Sequence, residues 1–256
     1  MRRTIVNYDE ASFKKFIKRI GPIVTFLDTK HWGDHGLNVS CLSFSLAEAI
    51  GLPLRTCDRI GFAALAHDLG KLDPRLQWLF APEKGKKKFT AEEKKLCAEH
   101  AAAGYKLYSD MLDSARQVGM ERIKARVEDL FDQETRRLVH DCQIYHDVPF
   151  SEGGETIPLV GRICRIADAF DAMVVKKHPG RGYQKPRTPE EAKEELLRCS
   201  GTDFDPKLVK VFIQKVLVPR RSPSGSGSGR KKKSQPTVVV RGSFRPSKNA
   251  APIPVC

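Results

Sequence analysis

Residues 157–175, IPLVGRICRIADAFDAMVV, constrain the fold more than any other stretch of the chain. Apolar side chains fall on nearly every side of a helix drawn through them, which predicts a helix buried at the centre of a bundle. Asp168 and Asp171 nevertheless lie inside this segment. A carboxylate taken out of water needs a partner, because burying an unpaired charge is costly. Two kinds of partner suit Asp168: an ion pair with Arg162 or Arg165, or a metal ion shared with ligands from elsewhere in the chain.

The remaining sequence keeps the helical period. Apolar positions recur at helical spacing over 38–50, closed by Gly51-Leu52-Pro53, and again over 59–67. A capping box, Thr90-Ala91-Glu92-Glu93, opens a helix over 90–108. A further helix is expected over 123–145, with a break foreseen at 129–133. Thr188-Pro189 starts another with proline at the first helical position, and Asp205-Pro206 starts the last. Nothing reads as a strand and no internal repeat is visible. The expected fold is an all-α helical bundle over residues 28–218, with a helical extension over 1–27 and a tail over 219–256.

The tail opens with RRSPSGSGSGRKKKSQP and lacks periodic apolar residues, which predicts a disordered appendage. Of the net charge of +14, nine units sit there, on nine Lys or Arg with no Asp or Glu, leaving +5 on residues 1–218. A flexible cationic chain attracts polyanions by counterion release. Its expected partner is nucleic acid, an acidic protein or an anionic membrane surface, with Lys86-Lys87-Lys88 as a small cationic loop. No stretch approaches the ~20 apolar residues that a membrane span needs, and the N-terminus lacks the apolar run of a signal peptide. A cytoplasmic location is therefore expected. The seven cysteines are scattered and none forms a CxxC pair, which predicts reduced, mostly buried thiols.

The histidines divide by context. His67-Asp68 ends the apolar run FAALAHDLGKL with Lys71 one turn further on. Two readings fit it: a metal site using both side chains, or an Asp68–Lys71 ion pair. His31 and His35 are four residues apart and would share a helix face. His100 lies mid-helix in CAEHAAAGY and His146 follows QIY; taken singly, each reads as core or surface rather than ligand. His140 and His178 gain nothing from their spacing and read as structural.

Taken in order, His35, His67-Asp68 and Asp168 resemble the H…HD…D pattern of the HD superfamily of metal-dependent phosphohydrolases. HDLGKL resembles the HDIGK motif of the HD-GYP subfamily, and GKKKFTAEEKKLCAEHAAAGYKL resembles its next segment. GGETIPLVGRICRIADAFDAM, TPEEAKEEL and GTDFDPKLVKVF follow in the subfamily's order. The resemblance covers about residues 28–215 and implies an HD-domain helical bundle. By resemblance His35, His67, Asp68, His100, His146 and Asp168 are metal ligands, with His31 as a candidate extra ligand. Asp68 becomes the bridging carboxylate, and Lys71 the residue that steadies the phosphate or protonates the leaving oxygen. The chain departs from the pattern in two places. The subfamily's HHE triplet is Tyr145-His146-Asp147 here, and its DGxGYP loop is shortened to VPFSEGG.

The resemblance implies a pair of divalent ions, iron or manganese first and zinc or nickel next, since imidazole and carboxylate together suit such metals. It also implies hydrolysis of a cyclic dinucleotide, cyclic di-GMP first. Two alternatives stand beside this: an HD phosphohydrolase acting on another nucleotide phosphoester, and a non-catalytic HD-GYP signalling or binding module. With about 27 residues ahead of the match, no input domain is expected before it. The substrate-binding residues stay unassigned.

Overall fold

The helical periods of the sequence become a bundle in which two helices, not one, are buried almost all round. The computed structural model describes residues 35–80, 89–117, 132–174 and 186–217. Among them the regular structure is helical, apart from one isolated bridge between Ser200 and Phe204, and the fold is all-α. The helices are α1 (His35–Ala49), α2 (Leu54–Leu65), α3 (Ala91–Cys97), α4 (His100–Gln117), α5 (Gln133–Tyr145), α6 (Phe150–Gly153), α7 (Leu159–Val174), α8 (Pro189–Arg198) and α9 (Pro206–Val211). Short 3-10 turns lie at Leu69–Leu72, Gln77–Phe80 and Gly154–Thr156, and α9 runs into a π-helical turn, Phe212–Val216.

The helix ends follow local chemistry. Thr90 and Glu93 form a capping box on α3, and Thr188 and Glu191 form another on α8, where Pro189 takes the first helical position. Asp132 caps α5 and Asp205 caps α9. Gly51, at φ +89°, adopts the left-handed conformation that terminates α1, and Leu52 N–H donates back to Ala47 O. Two expectations need correction. The helix foreseen over 90–108 is divided, because α3 stops at Cys97 and α4 starts at His100. The helix foreseen over 59–67 begins at Leu54 and stops at Leu65, so His67-Asp68 sits on the turn leading into Leu69–Leu72.

α1 packs against α2 and α7, and α7 also packs against α5 and α8. Phe44, Leu42 and Leu46 of α1 meet the same core as Ile163, Ile166 and Phe170 of α7. The Phe170 and Phe212 rings meet edge to face, 5.5 Å between centroids. Two of the three buried serines of α1 bond to backbone: Ser40 Oγ donates to Gly61 O at 2.6 Å and Ser45 Oγ to Cys41 O at 2.8 Å. Truncating Phe44 or Phe170 to alanine would cost about 3–5 kcal/mol by the usual scale for buried aromatics.

Ion pairs tie the frame around this core. Arg59 of α2 bonds Asp132 and Glu134, fixing α2 to the start of α5. Arg162 bonds Asp205, and Arg165 bonds Asp203 at 3.1 Å. Arg162 and Arg165, one of the two kinds of partner considered for Asp168, thus bond the stretch leading into α9. Among the described residues the cysteines are free thiols, with Cys41, Cys57, Cys142, Cys164 and Cys199 buried. No helix among them is long and apolar enough to cross a membrane. The extension 1–27, His31, Lys86-Lys87-Lys88, the start of the helix foreseen from 123, His178 and the tail 219–256 lie outside the described residues.

One close approach sets the depth of the site. The turn Leu69–Leu72 lies on α4, and a Cβ added at Gly70 would come within 1.7 Å of His100 O and 2.5 Å of Gly104 N. Both atoms belong to backbone, so the strain cannot be relieved by a side-chain rotation. Gly70→Ala should destabilise the fold by at least about 1–3 kcal/mol, the range for overpacking, and weaken metal binding by separating Asp68 from His100. Thermal melting checks this, and an unchanged midpoint would show that the approach is not tight.

Candidate metal centre

Five stretches of chain converge on one point. α1 contributes His35 and Asn38, the turn after α2 contributes His67, Asp68 and Lys71, α4 starts with His100, α5 ends at His146 and Asp147, and α7 contributes Asp168 and Asp171. His35, His67, His100 and His146 are all buried.

Each imidazole is held by its Nδ1. His67 Nδ1 lies 2.7 Å from Ala64 O, His100 Nδ1 2.7 Å from Cys97 O, and His146 Nδ1 3.0 Å from Cys142 O. His35 Nδ1 lies 2.7 Å from Asp171 Oδ2, whose other oxygen accepts from Asn38 Nδ2 at 2.9 Å. A ring that donates from Nδ1 presents the Nε2 lone pair on its far side, which is how ligating histidines are commonly oriented.

The Nε2 atoms face the carboxylates. His35 Nε2 lies 3.2 Å from Asp168 Oδ1, and His67 Nε2 lies 3.9 Å from the same oxygen. Asp68 is divided between two sides. Its Oδ2 is 3.4 Å from His67 Nε2 and 3.9 Å from His35 Nε2, while its Oδ1 is 3.7 Å from both His100 Nε2 and His146 Nε2. His100 Nε2 and His146 Nε2 are 3.4 Å apart. Groups able to share an ion thus form around His35, His67 and Asp168, and around His67, Asp68 and His146.

A metal ion fits these donors. Among the described residues His67 Nε2 and Asp68 Oδ1 are buried without a hydrogen-bond partner, a costly state for polar atoms that a cation would relieve. Asp68 Oδ2 also pairs with Lys71, as the ion-pair reading has it, and the group retains the donors that a metal ion would need.

Electrostatics reinforce the pattern. Burial pushes the Asp68 carboxyl up, but His67, Lys71 and His146 outweigh it and hold it well below the usual range, so it is ionised. Burial lowers His100 and favours its neutral form. Burial also opposes charge on His35 and His146, yet neighbouring carboxylates win: Asp168 and Asp171 push His35 up to about 9, and Asp147 and Asp68 push His146 up to about 10. Lys71, opposed by burial, is raised chiefly by Asp68 and keeps its proton.

The structure brings together His35, His67, Asp68, His100, His146, Asp168 and Lys71. His140 stands apart, its ring edge-on to Tyr105 at 4.8 Å. The roles of two residues escaped the sequence reading. Asp171, marked only as a carboxylate inside the apolar helix, bonds His35. Asp147 has Oδ2 3.5 Å from His146 Nε2 and 3.8 Å from His100 Nε2, and adjacency to His146 was its sole mark.

Comparison with known proteins identifies the family. A family described as the HD domain matches residues 32–173. A 3'3'-cGAMP-specific phosphodiesterase of Vibrio cholerae is 30% identical over 186 residues, 73% of this chain and 32% of that protein. A cyclic di-GMP phosphodiesterase of Thermotoga maritima is 29% identical, covering 70% of this chain and 43% of its own length. A cyclic di-GMP phosphodiesterase response regulator of Xanthomonas campestris is 30% identical, covering 66% and 39%. The chain thus spans well under half the length of these relatives.

The protonated histidines set a pH dependence. In metal-free protein His35 and His146, raised from 6.5 to about 9 and about 10, bind more protons folded than unfolded. Their contribution to stability is complete below about pH 6.5 and is lost as pH rises through 9 and 10. Metal binding requires neutral imidazole, so loading near pH 7.5 should release protons and tighten as pH rises. Calorimetry in buffers of different ionisation enthalpy measures this, and zero proton release would contradict it. Asp171→Ala should weaken metal binding by about 10–100-fold through loss of the His35 orientation.

Proposed function

Because the chain belongs to the HD domain family, we propose that it is a metal-dependent phosphodiesterase that hydrolyses a cyclic dinucleotide at a centre for two divalent ions. The observation that carries this reading is the division of Asp68, with Oδ2 turned to His35 and His67 and Oδ1 turned to His100 and His146. A carboxylate so placed would serve two ions, one held with His35, His67 and Asp168 and the other with His100 and His146. The mixture of imidazole and carboxylate favours iron, manganese, zinc or nickel over magnesium, with iron or manganese the first choice.

A bound pair of ions would neutralise charge developing on a phosphate and lower the pKa of water between them. The protein's own groups do the rest. The Nδ1 bonds fix the imidazoles before substrate arrives, so little reorganisation is left for the reaction. Lys71 is kept protonated by Asp68. A protonated Lys71 beside the centre supplies positive charge for the phosphate.

The substrate class draws its support from the relatives, whose names specify cyclic di-GMP or 3'3'-cGAMP. Both have anionic phosphodiesters suited to Lys71 and a dicationic centre. The shortened loop at 148–154 leaves the choice between them open to assay. Protein loaded with Mn(II) or Fe(II) should consume one or both, with products followed by chromatography. Asp68→Ala should reduce turnover by on the order of 10²–10³-fold or more while retaining helical content. If metal-replete protein leaves both substrates intact but cleaves another phosphoester in a panel, the substrate assignment fails and the hydrolase assignment survives. If nothing in the panel is cleaved, the chain is a binding module.

A further inference from the structure

We infer that Asp147 is a ligand of the second ion, closing a four-donor site made of Asp68, His100, His146 and Asp147. This rests on the reading of the centre as two ion sites. It places the missing donor of the Tyr145-His146-Asp147 triplet one residue after His146 rather than one before it.

The distances carry the argument. Donors bound at about 2.1 Å to one tetrahedral or octahedral ion lie roughly 3.0–3.5 Å from one another. Here His100 and His146 Nε2 are 3.4 Å apart, His146 Nε2 and Asp147 Oδ2 3.5 Å, and His100 Nε2 and Asp147 Oδ2 3.8 Å. Asp68 Oδ1 stands 3.7 Å from each imidazole. Small rotamer adjustments would contract this set onto an ion. His146 caps α5 with helical backbone, φ −65° and ψ −24°, so the chain is still turning when it presents Asp147.

Charge points the same way. Asp68 is shared, so without Asp147 the second ion would face two neutral rings and part of one carboxylate. Asp147 adds a full negative charge of its own. Its side chain is 62% exposed, whereas that of His100 is 3% exposed, which puts the carboxylate on the solvent side of the site. Tyr145 is occupied differently: its Cβ lies where a Cβ on Gly161 of α7 would come within 2.7 Å, so it is packed against that helix. The ion expected is a divalent transition metal that accepts two nitrogens and two oxygens.

Metal content per chain after loading with Mn(II), Fe(II) or Zn(II) and dialysis tests this, alongside the visible spectrum of the Co(II) protein, which reports ligand number. Wild type should hold two ions. Asp147→Asn and Asp147→Ala should hold one, or bind the second at least about tenfold more weakly, with an altered Co(II) spectrum. Asp147→Glu should restore it, and Tyr145→Phe should keep two. Circular dichroism controls for folding. Two ions retained by Asp147→Asn at wild-type affinity, or an ion lost from Tyr145→Phe, would overturn the assignment and leave the two-ion centre standing. Wild type holding fewer than two would overturn the centre and the assignment together.

Discussion

A carboxylate sits where water hardly reaches, and the surrounding structure is arranged to make that tolerable. Among the described residues Asp68 has one oxygen buried without a hydrogen bond, and the Lys71 ammonium and the edges of four imidazoles surround it. Removing an ion of this kind from water costs several kcal/mol unless opposite charge is supplied. The fold supplies it from every side. That requirement explains why five stretches meet here and why each histidine is oriented through its other nitrogen. It also explains the backbone approach at Gly70, since Asp68 reaches His100 only if the turn lies directly on α4.

Which side chains could meet at one point was legible from the sequence; their mutual orientation was not. HDLGKL, the embedded Asp168 and the capping residues Thr90, Thr188 and Asp205 are local marks, and each carries its meaning within a turn or two of helix. Asp171 could not be assigned that way. Its partner His35 lies 136 positions earlier, whereas Arg162 and Arg165 stand on its own helix and were the nearer candidates. Asp147 was hidden for a related reason, because a residue just past a helix end can point in several directions until the turn is known. The division between α3 and α4 was also missed: Ala98-Glu99 reads as helix by composition, yet the step there lets His100 Nδ1 bond Cys97 O.

The buried serines of α1 illustrate how patterning can mislead about depth. Ser40, Ser43 and Ser45 suggest a helix with a wet face, yet all three are buried. The hydroxyls of Ser40 and Ser45 find carbonyls nearby, so these polar atoms need not face solvent. The centre of the bundle is consequently shared by α1 and α7, and His35 and Asp171 are brought together because both helices lie inside.

The spread of the ligands along the chain bears on how the protein is made. During synthesis His35 and the His67-Asp68 pair emerge well before Asp168 and Asp171. About 100 residues separate Asp68 from Asp168, which at ribosomal rates of about 5–20 residues per second is a delay of roughly 5–20 s. For that interval a nascent chain exposes histidines and an acid with no completed cage to select among the cations of its surroundings. Any selectivity among cations would therefore arrive only with α7, which completes the set of donors.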